Sequence, residues 1–69
     1  MKLKEPIAIR ESLMGKGLMT IEDIAATLHL ATNTVSRALR GEPVRMQTII
    51  AIAASLDRSA AEIAVFVES

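Results

Sequence analysis

Apolar residues recur along most of the chain at intervals of three and four, the spacing of a helix with one buried face. The residues that punctuate these runs are those that begin or end helices, namely Pro6, Gly15, Gly17, Gly41 and Pro43. The pattern therefore predicts an all-α fold of five helices. Their expected bounds are Pro6 to Lys16, Thr20 to Leu28, Thr32 to Arg40, Met46 to Leu56 and Ala60 to Val67.

The end of the chain is compatible with two structures. Ser59 and Glu62 have the spacing of a capping box, as do Thr20 and Asp23, and this spacing predicts a helix from Ala60. The stretch 64–67 is rich in β-branched residues, however, and these favour a strand. Helix and strand therefore both stay open for this stretch. No other segment has the alternating period that predicts a strand.

The third predicted helix has two unlike faces when its residues are placed about 100° apart. The residues that share an arc of about 140° are Thr32, Asn33, Ser36, Arg37 and Arg40. Those on the opposite side are Val35, Ala38 and Leu39. We expect the second face to be buried and the first to donate and accept hydrogen bonds.

Length and composition allow one small domain, since the chain has 69 residues of which 51% are hydrophobic. The chain has no cysteine and one histidine, His29, which excludes thiolate zinc sites and histidine clusters. We therefore expect no metal, no cofactor and no enzymatic activity. Phe66 is the only aromatic residue, so stacking platforms for single-stranded nucleic acid are excluded. The methionines are expected to fill the core.

Eight basic and eight acidic side chains cancel, which argues against a polycation that coats nucleic acid. The charges are unevenly distributed, because residues 29–50 carry a net charge of +2 and residues 51–69 a net charge of −2. Charged residues interrupt every apolar run before it reaches the length of a membrane span or a secretory core. We therefore expect a cytoplasmic protein with no membrane partner.

Only three residues, His29 to Ala31, separate the second and third predicted helices, which is the spacing of a helix-turn-helix. The stretch TIEDIAATLHLATNTVSRALRG, residues 20–41, resembles the helix-turn-helix signature of bacterial and phage repressors. The positions that the resemblance implies are buried hold Ile24, Ala25, Leu30, Val35 and Ala38.

Two families share parts of this pattern. The portion TVSRALRG is similar to the lac-repressor family, but there the motif lies at the extreme N-terminus, whereas here a predicted helix precedes it. The later run RMQTIIAIAASLDRSAAEI resembles the fourth and fifth helices of the Cro and lambda-repressor-like (XRE) family. The resemblance covers about residues 6–66 and implies a compact five-helix lambda-repressor-like bundle. Residues 1–69 would then form a single DNA-binding domain with its helix-turn-helix at about 20–40.

Two positions depart from the family pattern. His29 stands where the turn usually has glycine, at a position that often needs a left-handed backbone. We interpret it as a turn residue that strains the turn slightly, with a pH switch or ligand role as the alternative. Arg45 stands where a serine or threonine that caps the fourth helix is common.

The resemblance implies that the polar face of the third helix enters the major groove of double-stranded DNA, where Asn, Arg and Thr side chains match base edges. The residues expected to read bases are Thr32, Asn33, Ser36 and Arg37. Those expected to contact phosphate are Thr20, Thr34, Arg40, Arg45 and Lys16. The N-terminus of the second helix also suits an anion, provided that Glu22 and Asp23 turn away.

One recognition helix covers too little DNA for useful specificity, so proteins with this motif usually dimerise. The expected dimerisation segment is 59–69, and its interface residues are Ile63, Val65, Phe66 and Val67. The alternative is that this segment only closes the core of a monomer. The expected function is a homodimeric repressor that binds a palindromic operator. Zero net charge favours the rival, a protein-interaction module such as an antitoxin or antirepressor.

Overall fold

The computed structural model describes residues 1–67, which contain five α-helices and one two-stranded sheet. The helices are α1 (Pro6–Gly15), α2 (Ile21–Leu28), α3 (Thr32–Leu39), α4 (Met46–Ser55) and α5 (Ala60–Ile63). The strands β1 (Lys2–Leu3) and β2 (Ala64–Val65) pair antiparallel and have two residues each. The protein is therefore mostly helical, and the predicted all-α bundle of five helices is confirmed.

The core lies where α1, α3 and α4 meet. Its largest fully buried side chains are Leu13, Val35, Ile49 and Ile52. Full burial of such a side chain contributes roughly 1.5 to 3 kcal/mol. α3 packs against α1, α2, α4 and β1, so its apolar side is enclosed by the rest of the fold. Helix α3 is thereby held rigidly at the surface, with one face inward and the other toward solvent.

The two predicted capping boxes mark real helix starts. The Thr20 Oγ1 accepts a hydrogen bond from the Asp23 backbone N–H at 3.1 Å, just before α2. Before α5, the Glu62 carboxylate accepts bonds from the backbone N–H and the hydroxyl of Ser59, at 3.2 and 3.1 Å. The bond from the Ser59 backbone N–H, and after it the bond from the Ser59 hydroxyl, hold the pKa of Glu62 below its ordinary value. The contribution of these bonds to the stability of the fold is therefore present at neutral pH, and it is lost as the pH falls through the lowered pKa of Glu62.

The turn after α2 requires a left-handed residue, as predicted. His29 has φ 57° and ψ 43°, and its backbone N–H donates to the Ala25 carbonyl. The Leu30 N–H donates to the same carbonyl at 2.9 Å, which closes the turn. In this conformation the Cβ atom of a residue lies too close to the following carbonyl oxygen. The turn is therefore slightly strained at His29.

We expect His29→Gly to raise the free energy of unfolding by about 0.5 to 1 kcal/mol. The left-handed conformation costs a residue with a Cβ about 1 to 2 kcal/mol, and part of this gain is offset because glycine loses more entropy on folding. Chemical denaturation followed by circular dichroism measures the change. The matched control is Ala26→Gly within α2, which should lower stability by about 1 kcal/mol. A loss of stability in both variants would contradict the assignment of strain to His29.

The C-terminal segment is helical at its start and then forms a short strand. The prediction of helix is correct only to Ile63, and the strand alternative is confirmed for Ala64–Val65. β1 imposes this change, since Leu3 pairs with Ala64 and the Lys4 N–H donates to the Ile63 carbonyl at 2.9 Å. The expectation that no other segment forms a strand is wrong for β1, because two residues are too few to show a period. Residues 68 and 69 of the predicted segment 59–69 lie outside the described residues.

The prediction that the methionines fill the core is wrong for three of them. Met14, Met19 and Met46 are 39%, 54% and 47% exposed. Met14 and Met46 lie in terminal turns of α1 and α4, and Met19 lies in the loop before α2. Positions at helix ends and in loops project beyond the packed layer of the core. Met1 alone of the four packs partly against the core.

Candidate nucleic-acid interface

The polar face of α3 is open to solvent along its length. Val35 and Ala38 are fully buried, whereas Thr32, Asn33, Arg37 and Arg40 are exposed. Thr34 and Ser36 are partly buried at the edges of the exposed strip. The two faces predicted from the helical period are thus confirmed.

The start of α3 offers backbone donors as well as side chains. Its N-cap residue, Ala31, has no side chain that can bond the first N–H groups of the helix. These N–H groups have no partner within the helix either. A helix start of this kind attracts an anion or a hydrogen-bond acceptor through its N–H groups and its dipole. The donors stand beside Thr32 and Asn33, the first exposed side chains of α3.

A cleft separates the start of α3 from the start of α2, and we call it the α2-side cleft. Its polar lining residues are Arg10, Thr20, Glu22, Thr32, Asn33 and Ser36. The structure therefore brings three predicted base-reading residues together with Thr20, a predicted phosphate contact. Arg10 was not predicted, since it reaches the cleft only because α1 packs against α3. Glu22 lines the same cleft and offsets the charge of Arg10 there.

A second cleft, the α4-side cleft, lies on the other flank of α3. Its polar side chains are Thr34, Arg37, Arg45, Gln47 and Thr48. Arg45, which stands where the family pattern commonly has a capping serine or threonine, is the N-cap of α4 and makes no side-chain capping bond. Gln47 was not predicted, because nothing in its sequence context distinguishes it from any polar residue of a helix. α3 is thus a ridge between two clefts that both contain arginine.

The arginines of α3 share one acidic partner, Glu42. The Arg40 Nε donates to the Glu42 Oε2 at 2.7 Å, and the Arg37 Nε lies 3.7 Å from the Glu42 Oε1. The Arg37 Nη2 also donates to the Pro43 carbonyl at 3.3 Å. From the sequence alone, Glu42 enters only as one acidic charge among residues 29–50. Its contact with both arginines depends on how the chain turns after α3.

Lys16 is not brought to this surface. Its Nζ lies 3.6 Å from the Asp57 Oδ2, and it lines neither cleft. It follows the C-terminus of α1, and Asp57 follows the C-terminus of α4. The structure gives no geometric support to the predicted phosphate contact of Lys16.

The predicted dimer residues divide into two groups. Ile63 is 2% exposed and belongs to the core, so the expectation that it offers surface to a second subunit is corrected. Val65, Phe66 and Val67 are 38%, 76% and 40% exposed and form what we call the C-terminal apolar patch. Ile63 is buried because it ends α5, which packs against α4. In β2, Ala64 faces the core with Leu3, whereas Val65 faces outward with Lys2.

A third cleft lies away from α3, and its charged lining residues are Lys4, Glu5, Arg58 and Glu62. The structure describes residues 1–67. Within these residues, no three His, Asp or Glu side chains are grouped to hold a metal ion. No helix in residues 1–67 has both the length and the apolar character that crossing a bilayer requires.

Two helices joined by a three-residue turn, with the second presenting a polar face between two clefts that contain arginine, define the class of helix-turn-helix DNA-binding domains. Comparison with protein families agrees with this assignment. The profile of the Cro/C1-type HTH DNA-binding domain matches residues 11–69, and the chain belongs to this family. No curated protein and no solved structure gives a significant match to the chain.

Proposed function

We propose that this protein is a homodimeric transcriptional repressor that binds a palindromic operator through the major groove. The observation that carries the proposal is the ridge formed by α3, whose exposed polar face lies between two clefts containing arginine. An α-helix fits the major groove, and the phosphate backbones on both sides of the groove then pass the flanks of the helix. A dimer bound in this way occludes a promoter that overlaps its site.

Base reading is assigned to Thr32, Asn33, Ser36 and Arg37. Asparagine can bond an adenine edge bidentately and arginine a guanine edge, while threonine and serine bond either kind of edge. The exposure of this face and the open N–H groups at the start of α3 support the assignment.

Phosphate contacts are assigned to both flanks of α3. Thr20 and Arg10 serve the α2-side cleft, while Thr34 and Arg45 serve the α4-side cleft. Arg40, the C-cap residue of α3, contacts a phosphate near the end of the helix. Contacts of this kind fix the position of a protein on DNA but carry no sequence information directly.

Dimerisation is assigned to the C-terminal apolar patch of Val65, Phe66 and Val67. Phe66, the only aromatic residue of the chain, is 76% exposed in the monomer. An exposed aromatic side chain between two partly exposed valines is typical of a surface that a partner covers. Pairing two copies through this patch links two recognition helices, and each then reads one half-site.

The experiment that tests the proposal begins with titration of a random-sequence duplex at low salt. We expect detectable binding that weakens steeply as salt is added, because phosphate contacts release counterions. Selection of bound duplexes from a random pool should then enrich a two-fold symmetric site with half-sites about one helical turn apart. Enrichment of an asymmetric site, or of none, would contradict the dimeric operator.

A second function deserves a test because the net charge is zero. A protein-interaction module with the same fold, such as an antitoxin or antirepressor, needs no basic surface. The same titration separates the two functions. Binding of the random duplex at low salt supports the repressor, and the absence of any binding under these conditions supports the interaction module.

A further inference from the structure

Glu42 is held in place by the hydrogen bonds that end α3. Its backbone N–H donates to the Arg37 carbonyl at 3.0 Å, and the Gly41 N–H donates to the Ala38 carbonyl at 3.1 Å. These are the two bonds of a Schellman motif. Gly41 adopts φ 80°, and a Cβ at this position would lie 3.2 Å from the Pro6 Cγ of α1. The backbone of Glu42 is therefore fixed relative to α3.

This position gives Glu42 access to both arginines at the end of α3. Its two carboxylate oxygens face different partners, with Oε2 2.7 Å from the Arg40 Nε and Oε1 3.7 Å from the Arg37 Nε. Among residues 1–67, no other carboxylate lies within ion-pair distance of either guanidinium. One acidic side chain thus partly neutralises the two cations that α3 and its C-cap present to DNA.

The ion pairs contribute little to folding. The side chains of Arg37, Arg40 and Glu42 are 54%, 61% and 43% exposed, and exposed pairs of this kind change stability only slightly. The same ion pairs have a larger effect on DNA binding than on folding. Binding to arbitrary DNA depends almost entirely on phosphate contacts, so one competing carboxylate between two contact residues weakens it directly.

We propose that Glu42 is a specificity-determining residue, whose carboxylate competes with DNA phosphates for Arg37 and Arg40 and lowers affinity for arbitrary DNA more than for the operator. This inference rests on the proposed DNA-binding function. On the operator, Arg37 gains hydrogen bonds to base edges, and these offset the loss of its ion pair with Glu42. On arbitrary DNA it gains phosphate alone, next to a carboxylate that repels phosphate. The discrimination between the two kinds of DNA therefore increases.

Glu42→Gln tests the proposal, because glutamine keeps the length of the side chain and removes its charge. Two probes are used, a random-sequence duplex of about 20 base pairs and the duplex obtained by selection from a random pool. We expect affinity for the random duplex to rise about threefold at low salt, as loss of exposed ion pairs allows. The salt slope on that duplex should steepen by about one contact. Affinity for the selected duplex should change less, so the ratio of the two affinities falls.

The matched control is Asp57→Asn, which changes the net charge by the same amount and removes the ion pair with Lys16. Asparagine also tolerates the left-handed backbone that Asp57 adopts. We expect this variant to leave the ratio of affinities unchanged. Equal effects of Glu42→Gln and Asp57→Asn on that ratio would overturn the role of Glu42. A wild-type protein that binds neither duplex would instead overturn the proposed function itself.

Discussion

Phe66→Asp should give a folded, helical monomer whose affinity for the operator is at least about tenfold lower than that of the wild-type protein. Phe66 is 76% exposed, so its replacement removes little from the core. A buried phenylalanine, in contrast, contributes about 3 to 5 kcal/mol, a large part of the stability of a small domain. The loss of affinity follows because linking two binding modules raises avidity by about 10² to 10⁴. Analytical ultracentrifugation and DNA titration measure the two effects.

Ile7→Asp is the matched control for this change, because Ile7 is also 76% exposed but lies on α1. We expect it to leave both the sedimentation behaviour and the operator affinity as they are in the wild-type protein. A wild-type protein that sediments as a monomer at micromolar concentration would contradict the assignment of the dimer interface. So would unfolding of Phe66→Asp, since it would place the side chain in the core.

The sequence predicts the helices of this fold well because the signals for them are local. The spacing of Thr20 and Asp23 gives the start of α2, and Gly41 with Pro43 gives the end of α3. The faces of α3 follow from its period alone, since a helix repeats its side-chain directions every 3.6 residues or so. The resemblance over nearly the whole chain adds the five-helix bundle expected of the Cro and lambda-repressor-like family, and the family profile confirms membership in a Cro/C1-type family.

Features that depend on contacts between distant segments could not be predicted in this way. β1 has two residues and owes its conformation to β2, which follows about sixty residues later. Arg10 enters the α2-side cleft through the packing of α1 on α3, and Ile63 enters the core through the packing of α5 on α4. Sequence spacing within one helix contains no information on such contacts. The pairing of Glu42 with two arginines depends in the same way on the geometry of a turn.

Arg37→Ala should weaken binding to the selected operator, with a loss of about 1 to 3 kcal/mol in binding free energy. It should also relax the preference at one base position. A bidentate contact between arginine and a base edge contributes about this much discrimination. Arg37 lies where the exposed face of α3 meets the α4-side cleft, and its side chain is 54% exposed. The measurement is the affinity for the operator and for each of its single-base variants at that position.

Arg40→Ala should behave differently, because we assign Arg40 to phosphate. Its affinity should fall about equally for the operator and for random DNA, and the salt slope should shrink by about one contact. Arg37→Lys is the control that separates charge from shape, since lysine keeps the positive charge but lacks the planar fork. It should retain most of the affinity for random DNA and still lose the base preference. Identical losses for Arg37→Ala and Arg40→Ala on operator and random DNA would contradict this division between base reading and phosphate contact.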